Sequence, residues 1–162
     1  MLLLFVGCGS LISSADRPFN AISLSQNNSV SVSAGLPKYY DTIIQVGLDR
    51  VDIRNQVIYI LQLGDESSEE GVVAHIKKFD GKYYLFISDL DKRGAIEVIG
   101  HEIWHMVQYE SGALGYNYAD GIIYWEGDEY HNEMIPYENR PWERDAFNNS
   151  SVVSKEIEKL LW

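Results

Sequence analysis

Apolar and polar residues change their spacing several times along this chain, and each change marks an element. Before Leu36, "GSLISSADRPFNAISLSQNNSVSVSAG" is rich in Ser and Asn and holds few large apolar residues. Such a stretch buries little, so residues 9–35 read as a flexible tether, although the alternation in "SVSVS" also suits a short edge strand. From Pro37 to about Asp49, Tyr40, Ile43, Ile44 and Leu48 recur near helical spacing, and Pro37 suits a first turn. "QVIYILQL" (56–63) is β-branched and aromatic, as strands are. "GVVAHIKKF" (71–79) and "KYYLFISDL" (82–90) flank Asp80-Gly81, a dipeptide typical of two-residue hairpins.

Three strands after a helix predict a small, mostly antiparallel sheet. A second helix is expected from Asp91, a suitable N-cap, to about Ser111, with Gly112 as its stop and Ile96, Ile99, Ile103 and Met106 as its core stripe. "ALGYNYADGIIYWEGDEYH" places Asp120-Gly121 between apolar arms and reads as a second hairpin. "NRPWERDAF" and "SKEIEKLLW" read as one kinked helix or two short ones, with Pro141 in a first turn. The fold class is α+β, with a domain over residues 36–162 and no internal repeat.

Composition narrows the function. The 162 residues suffice for one domain with a real core. The net charge of −11, from 24 acidic and 13 basic residues, argues against non-specific nucleic-acid binding, which needs a basic surface. The acidic groups are dispersed and identify no substrate. Cys8 is the only cysteine, which excludes an internal disulfide and leaves a Cys–His nucleophile or a cysteine-rich metal cluster without support.

Cys8 matters in another way. In "MLLLFVGCGS" a short apolar run, Leu2 to Val6, precedes Gly7 and Cys8. This resembles the end of a bacterial lipoprotein signal peptide, although the run is shorter than usual and no Lys or Arg precedes it. The resemblance implies a signal segment over residues 1–8, lipid on Cys8 and an extracytoplasmic domain tethered to a membrane, in the periplasm or at the cell surface.

The chemistry lies in "HEIWH", residues 101–105. On a helix, positions i and i+4 share a face about 6 Å apart, so His101 and His105 can both aim a ring nitrogen at one ion. Neutral imidazole suits zinc. Glu102, offset by one residue, flanks such an ion. There it can take a proton from water whose pKa the metal lowers toward about 7, and pass it to a leaving amine. The bland alternative is a pair of surface or hydrogen-bonded histidines.

"HEIWH" resembles the active-site motif of the zincin metallopeptidases, in which a later helix usually supplies a third ligand. The resemblance extends over less than a third of the chain, and it is specific for metal chemistry and weak for substrate. Metzincins continue the motif with a glycine and a third histidine, where this chain has Gln108 and Ser111. Peptide deformylases use a cysteine from a preceding strand, and Cys8 is not placed for that. Thermolysin-like enzymes carry a glutamate about twenty residues on, where this chain has Trp125 and Glu126, followed by Gly127. The gluzincin pattern, a glutamate with an alanine three residues later on a second helix, fits Glu143 and Ala146. The resemblance therefore implies a zincin-like fold, zinc held by His101, His105 and Glu143, Glu102 as general base, and a peptide or protein substrate. His131, Glu133 and Glu138 rival Glu143. His131 and Tyr137 are candidates for stabilising a tetrahedral intermediate. Trp104, Tyr109, Trp125 and Trp142 read as core, and His75 has no motif partner. A zincin-like surface lipoprotein that binds metal or a partner without turnover is the alternative, and the small size of the chain favours it. The intact Glu102 favours catalysis.

Overall fold

The computed structural model describes residues 27–64, 72–131 and 134–161. The segment 1–8 with Cys8, most of the tether, and Glu133 lie outside them. The fold is α+β. In chain order the elements are β1 (Ser29–Val32), α1 (Tyr39–Arg50), β2 (Val57–Gln62), β3 (Ala74–Phe79), β4 (Lys82–Ile87), α2 (Lys92–Ser111), β5 (Leu114–Asn117), β6 (Ile122–Trp125), β7 (Asp128–His131), a 3-10 turn (Tyr137–Asn139) and α3 (Pro141–Leu161).

The first sheet has the order β1-β2-β4-β3. Asp80 and Gly81 both take positive φ (49° and 69°) and close the β3–β4 hairpin as expected. The other two pairings, β1–β2 and β2–β4, are parallel. The sheet is therefore mixed, which corrects the mostly antiparallel expectation. The hairpin turn determines only β3 against β4, whereas β2 reaches β4 after the chain has first laid down β3 outside it. One face of this sheet, carrying Ile58, Ile60, Ile76, Tyr83, Leu85 and Ile87, packs with α1 and α2 in a continuous core.

The expected tether gives way to the edge-strand reading where the structure describes it. Val30 and Val32 pack on the core while Ser29 and Ser31 stay exposed, the alternation of a half-covered edge strand. The buried Asn28 secures its start, donating to Ile53 O at 2.9 Å and accepting from Gln56 N at 2.9 Å. The folded region thus begins before Leu36.

Helix α2 is held at both ends. The Asp91 side chain accepts from Gly94 N at 2.7 Å, and Gly112 takes a left-handed conformation past the last turn. Tyr40 of α1 accepts from Leu90 N at 2.8 Å just before the helix. Near the far end Glu110 accepts from Tyr83 at 2.6 Å and from Lys78 at 2.7 Å. Helix α3 runs unbroken through Asn148–Ser151, in place of the kink or break expected there. Asn149 donates to Asp145 O and Oδ1, at 2.8 and 2.9 Å, while Val153 and Ile157 pack into the core. Where α3 crosses α2, a Cβ on Gly100 would overlap Ser154 Oγ, so only glycine permits this approach. Ala146 is fully buried on α3.

A second, three-stranded antiparallel sheet, β5-β6-β7, follows α2. Its first hairpin lies at Asp120-Gly121 as expected. The third strand was not anticipated. Its signal is Glu126-Gly127, both at positive φ (51° and 94°), a second tight turn hidden among aromatic residues.

Candidate metal centre

The close crossing of α2 and α3 brings Glu143, in the first turn of α3, against the histidines of α2. His105 Nε2 lies 3.1 Å from His101 Nε2, and Glu143 Oε2 lies 3.2 Å from His101 Nε2 and 3.3 Å from His105 Nε2. Donors bound to a tetrahedral zinc ion at about 2.0–2.2 Å stand about 3.3–3.6 Å apart. The three edges observed here come close to that, and two imidazoles with one carboxylate are donors that zinc accepts. The residues present therefore fit the ion that the sequence led us to expect. His131 lies exposed on β7 and Glu138 exposed in the 3-10 turn, and neither joins the cluster.

Glu102 sits beside this triangle. It is 4% exposed, and burial shifts its carboxyl pKa upward against the opposing pull of His105, His101 and the Ile76 backbone N–H. Its Oε2 has no hydrogen-bond partner among the described residues. An unpartnered buried carboxylate oxygen is costly unless something else uses it, and here Glu102 lines a cleft of about 290 Å³.

Glu143 is in the opposite condition. Burial alone would raise its pKa, but hydrogen bonds with His101 and His105, the His105 charge and a hydrogen bond from Tyr137 hold it far below the usual carboxylate range. His105 answers in kind: burial alone would lower it, yet Glu143 and the charge of Glu102 push it up to about 9.

Two further walls complete the cleft. β3, the outer strand of the first sheet among the described residues, contributes Ala74, Ile76 and Lys77. The second sheet and the chain after it contribute Leu114, Tyr116, Ile123, Tyr137 and Trp142. Tyr109 and Trp142, expected as core, serve as both core and cleft lining. Trp104 is partly buried and donates Nε1–H to Asp145 at 2.8 Å. Nothing in the residue pattern singled out Asp145, because a carboxylate in a polar helix reads as solvated surface. His75 also borders the cleft, its ring stacked on Phe86 with centroids 4.8 Å apart.

Among the described residues no helix is long and apolar enough to cross a membrane. Comparison of the chain with protein-family models, curated proteins and solved structures finds no match.

Proposed function

We propose that this protein is a zincin-type, gluzincin-like metallopeptidase that hydrolyses peptide bonds with zinc held by His101, His105 and Glu143. The observation that carries the reading is the near-equilateral triangle of three ligand atoms with a buried, unpartnered carboxylate oxygen beside it. Bound there, zinc would supply Lewis acidity, polarising a carbonyl oxygen and lowering the pKa of water toward about 7.

The chain's own groups do the rest. Glu102, its pKa raised by burial, is suited to accept a proton from the attacking water and deliver it to the leaving amine. The Ile76 N–H of β3 favours the charged form of Glu102. β3 also runs along the cleft as the outer strand of the first sheet among the described residues, and an extended peptide can pair with those of its backbone groups that Glu102 and Tyr118 do not engage. Tyr137 lines the cleft beside Glu143, where its hydroxyl can meet developing negative charge.

The test separates the two glutamates. Glu102→Gln keeps zinc and loses turnover of a peptide library by about 10²–10⁴-fold or more. Glu143→Ala weakens zinc binding and stability together, because metal binding is linked to folding. Zinc lost with Glu102→Gln and kept with Glu143→Ala refutes the assignment. Tight zinc binding by a wild type that cleaves nothing favours the non-catalytic binding module.

The extracytoplasmic, lipid-anchored placement rests on Leu2–Val6 followed by Gly7-Cys8. It predicts that the protein partitions with membranes and that Cys8→Ser releases it or blocks processing. A wild type that is soluble with its N-terminus uncleaved removes this part of the proposal.

A further inference from the structure

Gln108 lies one turn beyond the second histidine and is 2% exposed. Its Nε2 donates to Trp142 O at 2.9 Å and to Asp145 Oδ2 at 2.8 Å. Both partners can only accept, so the orientation of the amide follows from chemistry. The atom facing His105 Nδ1 at 2.8 Å is therefore Oε1, which itself can only accept. His105 must carry a proton on Nδ1, and its Nε2 is the nitrogen that faces His101 and Glu143. The same amide grips the carbonyl of Trp142, the residue immediately before Glu143. Asp145, two residues after Glu143, is held in turn by Trp104 Nε1 at 2.8 Å and by Asn149 Nδ2 at 2.9 Å.

We infer that Gln108 is a positioning residue for the metal centre: one buried amide sets which nitrogen of His105 is presented and fixes the first turn of α3 that carries Glu143. This rests on the metal reading proposed above. A buried glutamine that merely satisfies its own polar atoms would need partners, but those partners need not be one metal ligand and the backbone next to another. Outer hydrogen bonds of this kind orient a ligating ring, and their loss typically costs about 10–100-fold in metal affinity.

The experiment measures zinc affinity by competition with a chelator, alongside NMR of the His105 ring nitrogens in the zinc-loaded protein. In the wild type we expect ligation through Nε2 and a protected Nδ1 proton. Gln108→Met removes both the acceptor and the donors at similar size. It should lower zinc affinity about 10–100-fold and leave the Nδ1 proton in fast exchange. Should that variant fail to fold, Asp145→Asn, which perturbs only one of the two acceptors, is expected to weaken zinc by a smaller factor with the His105 tautomer retained. Ligation through Nδ1 in the wild type overturns the inference without any variant. Unchanged affinity and proton exchange in Gln108→Met also overturn it, while leaving the metal centre standing. A wild type that takes up no zinc overturns both.

Discussion

The two sheets of this protein differ in what they bury. Among the described residues, the four-stranded sheet and its helices share a core of 20 buried apolar residues, whereas the three-stranded sheet shares a cluster of three with the start of α3: Leu114, Ile123 and Trp142. Both border the cleft, and the two glutamates are held from opposite sides of it. The Ile76 N–H of β3, in the first sheet, favours the charged form of Glu102, and the Tyr137 hydroxyl, after the second, favours that of Glu143. The large core supplies the rigidity that keeps α2 and its histidines in place. The small sheet buries too little to be a comparable source of stability, and its partly exposed strands form one wall of the cleft.

That contrast can be broken most forcefully in the large core. Leu85→Ala, at a fully buried central position, should cost about 2–5 kcal/mol. Ile123→Ala, in the small sheet, should fall at or below the lower end of that range while raising KM for a peptide substrate. Urea unfolding of both variants, with peptide kinetics for the second, checks this. An equal loss of stability at the two sites would show that the small sheet is part of the main cooperative unit.

The junction between the regions comes next in size. Stripping the metal with a chelator should lower stability by about 2.7 kcal/mol relative to protein held at a zinc concentration about one hundred times the dissociation constant. Thermal unfolding with and without chelator measures it. Glu143→Ala should abolish most of the difference. A Tm that ignores both zinc and chelator would separate the triangle of ligands from the stability of the crossing.

The smallest expected effect lies on the first-sheet side, at Glu110. Burial alone would raise its carboxyl, but Lys78 and Tyr83 outweigh that and hold it below the usual value. A folded pKa below the unfolded one means a stabilising contribution that is present above the unfolded value of about 4.3 and is lost as pH falls through the folded value. With the side chain 34% exposed, solvent screening keeps this contribution under about 1 kcal/mol. Glu110→Gln should therefore lose a little stability at neutral pH and flatten the acid limb of a stability–pH profile. An acid limb as steep as in the wild type would assign the dependence to other carboxylates.

Much of the site was legible because its signals are local. The Asp91 cap, the Gly112 stop and the i, i+4 spacing of His101 and His105 each involve residues within a few turns of one helix, where geometry follows directly from sequence separation. Pro141 marked the start of α3, and with it the turn that carries Glu143. The stretch "SVSVS" could be read as tether or strand, since Ser-Val alternation without a known partner suits both.

What the tertiary structure alone decided is everything that depends on a partner distant in sequence. Alternating apolar residues in β2 and β4 look the same whether the strands run parallel or antiparallel, so the mixed sheet depended on the path between them. The approach of α3 to α2 is set by Gly100 against Ser154, two small residues that carry no signal separately. Asp145 reads as a solvated carboxylate and Trp104 as core, and the place of Gln108 three residues after the second histidine does not say what it bonds, until the crossing of two helices brings them together. By itself the sequence determined which side chains can bind a metal and that a helix displays two of them. Whether the third reaches them, and what holds all three at ligand spacing, was settled by packing between segments about forty residues apart, because burial and hydrogen-bond partners belong to the folded chain and not to any one stretch of it.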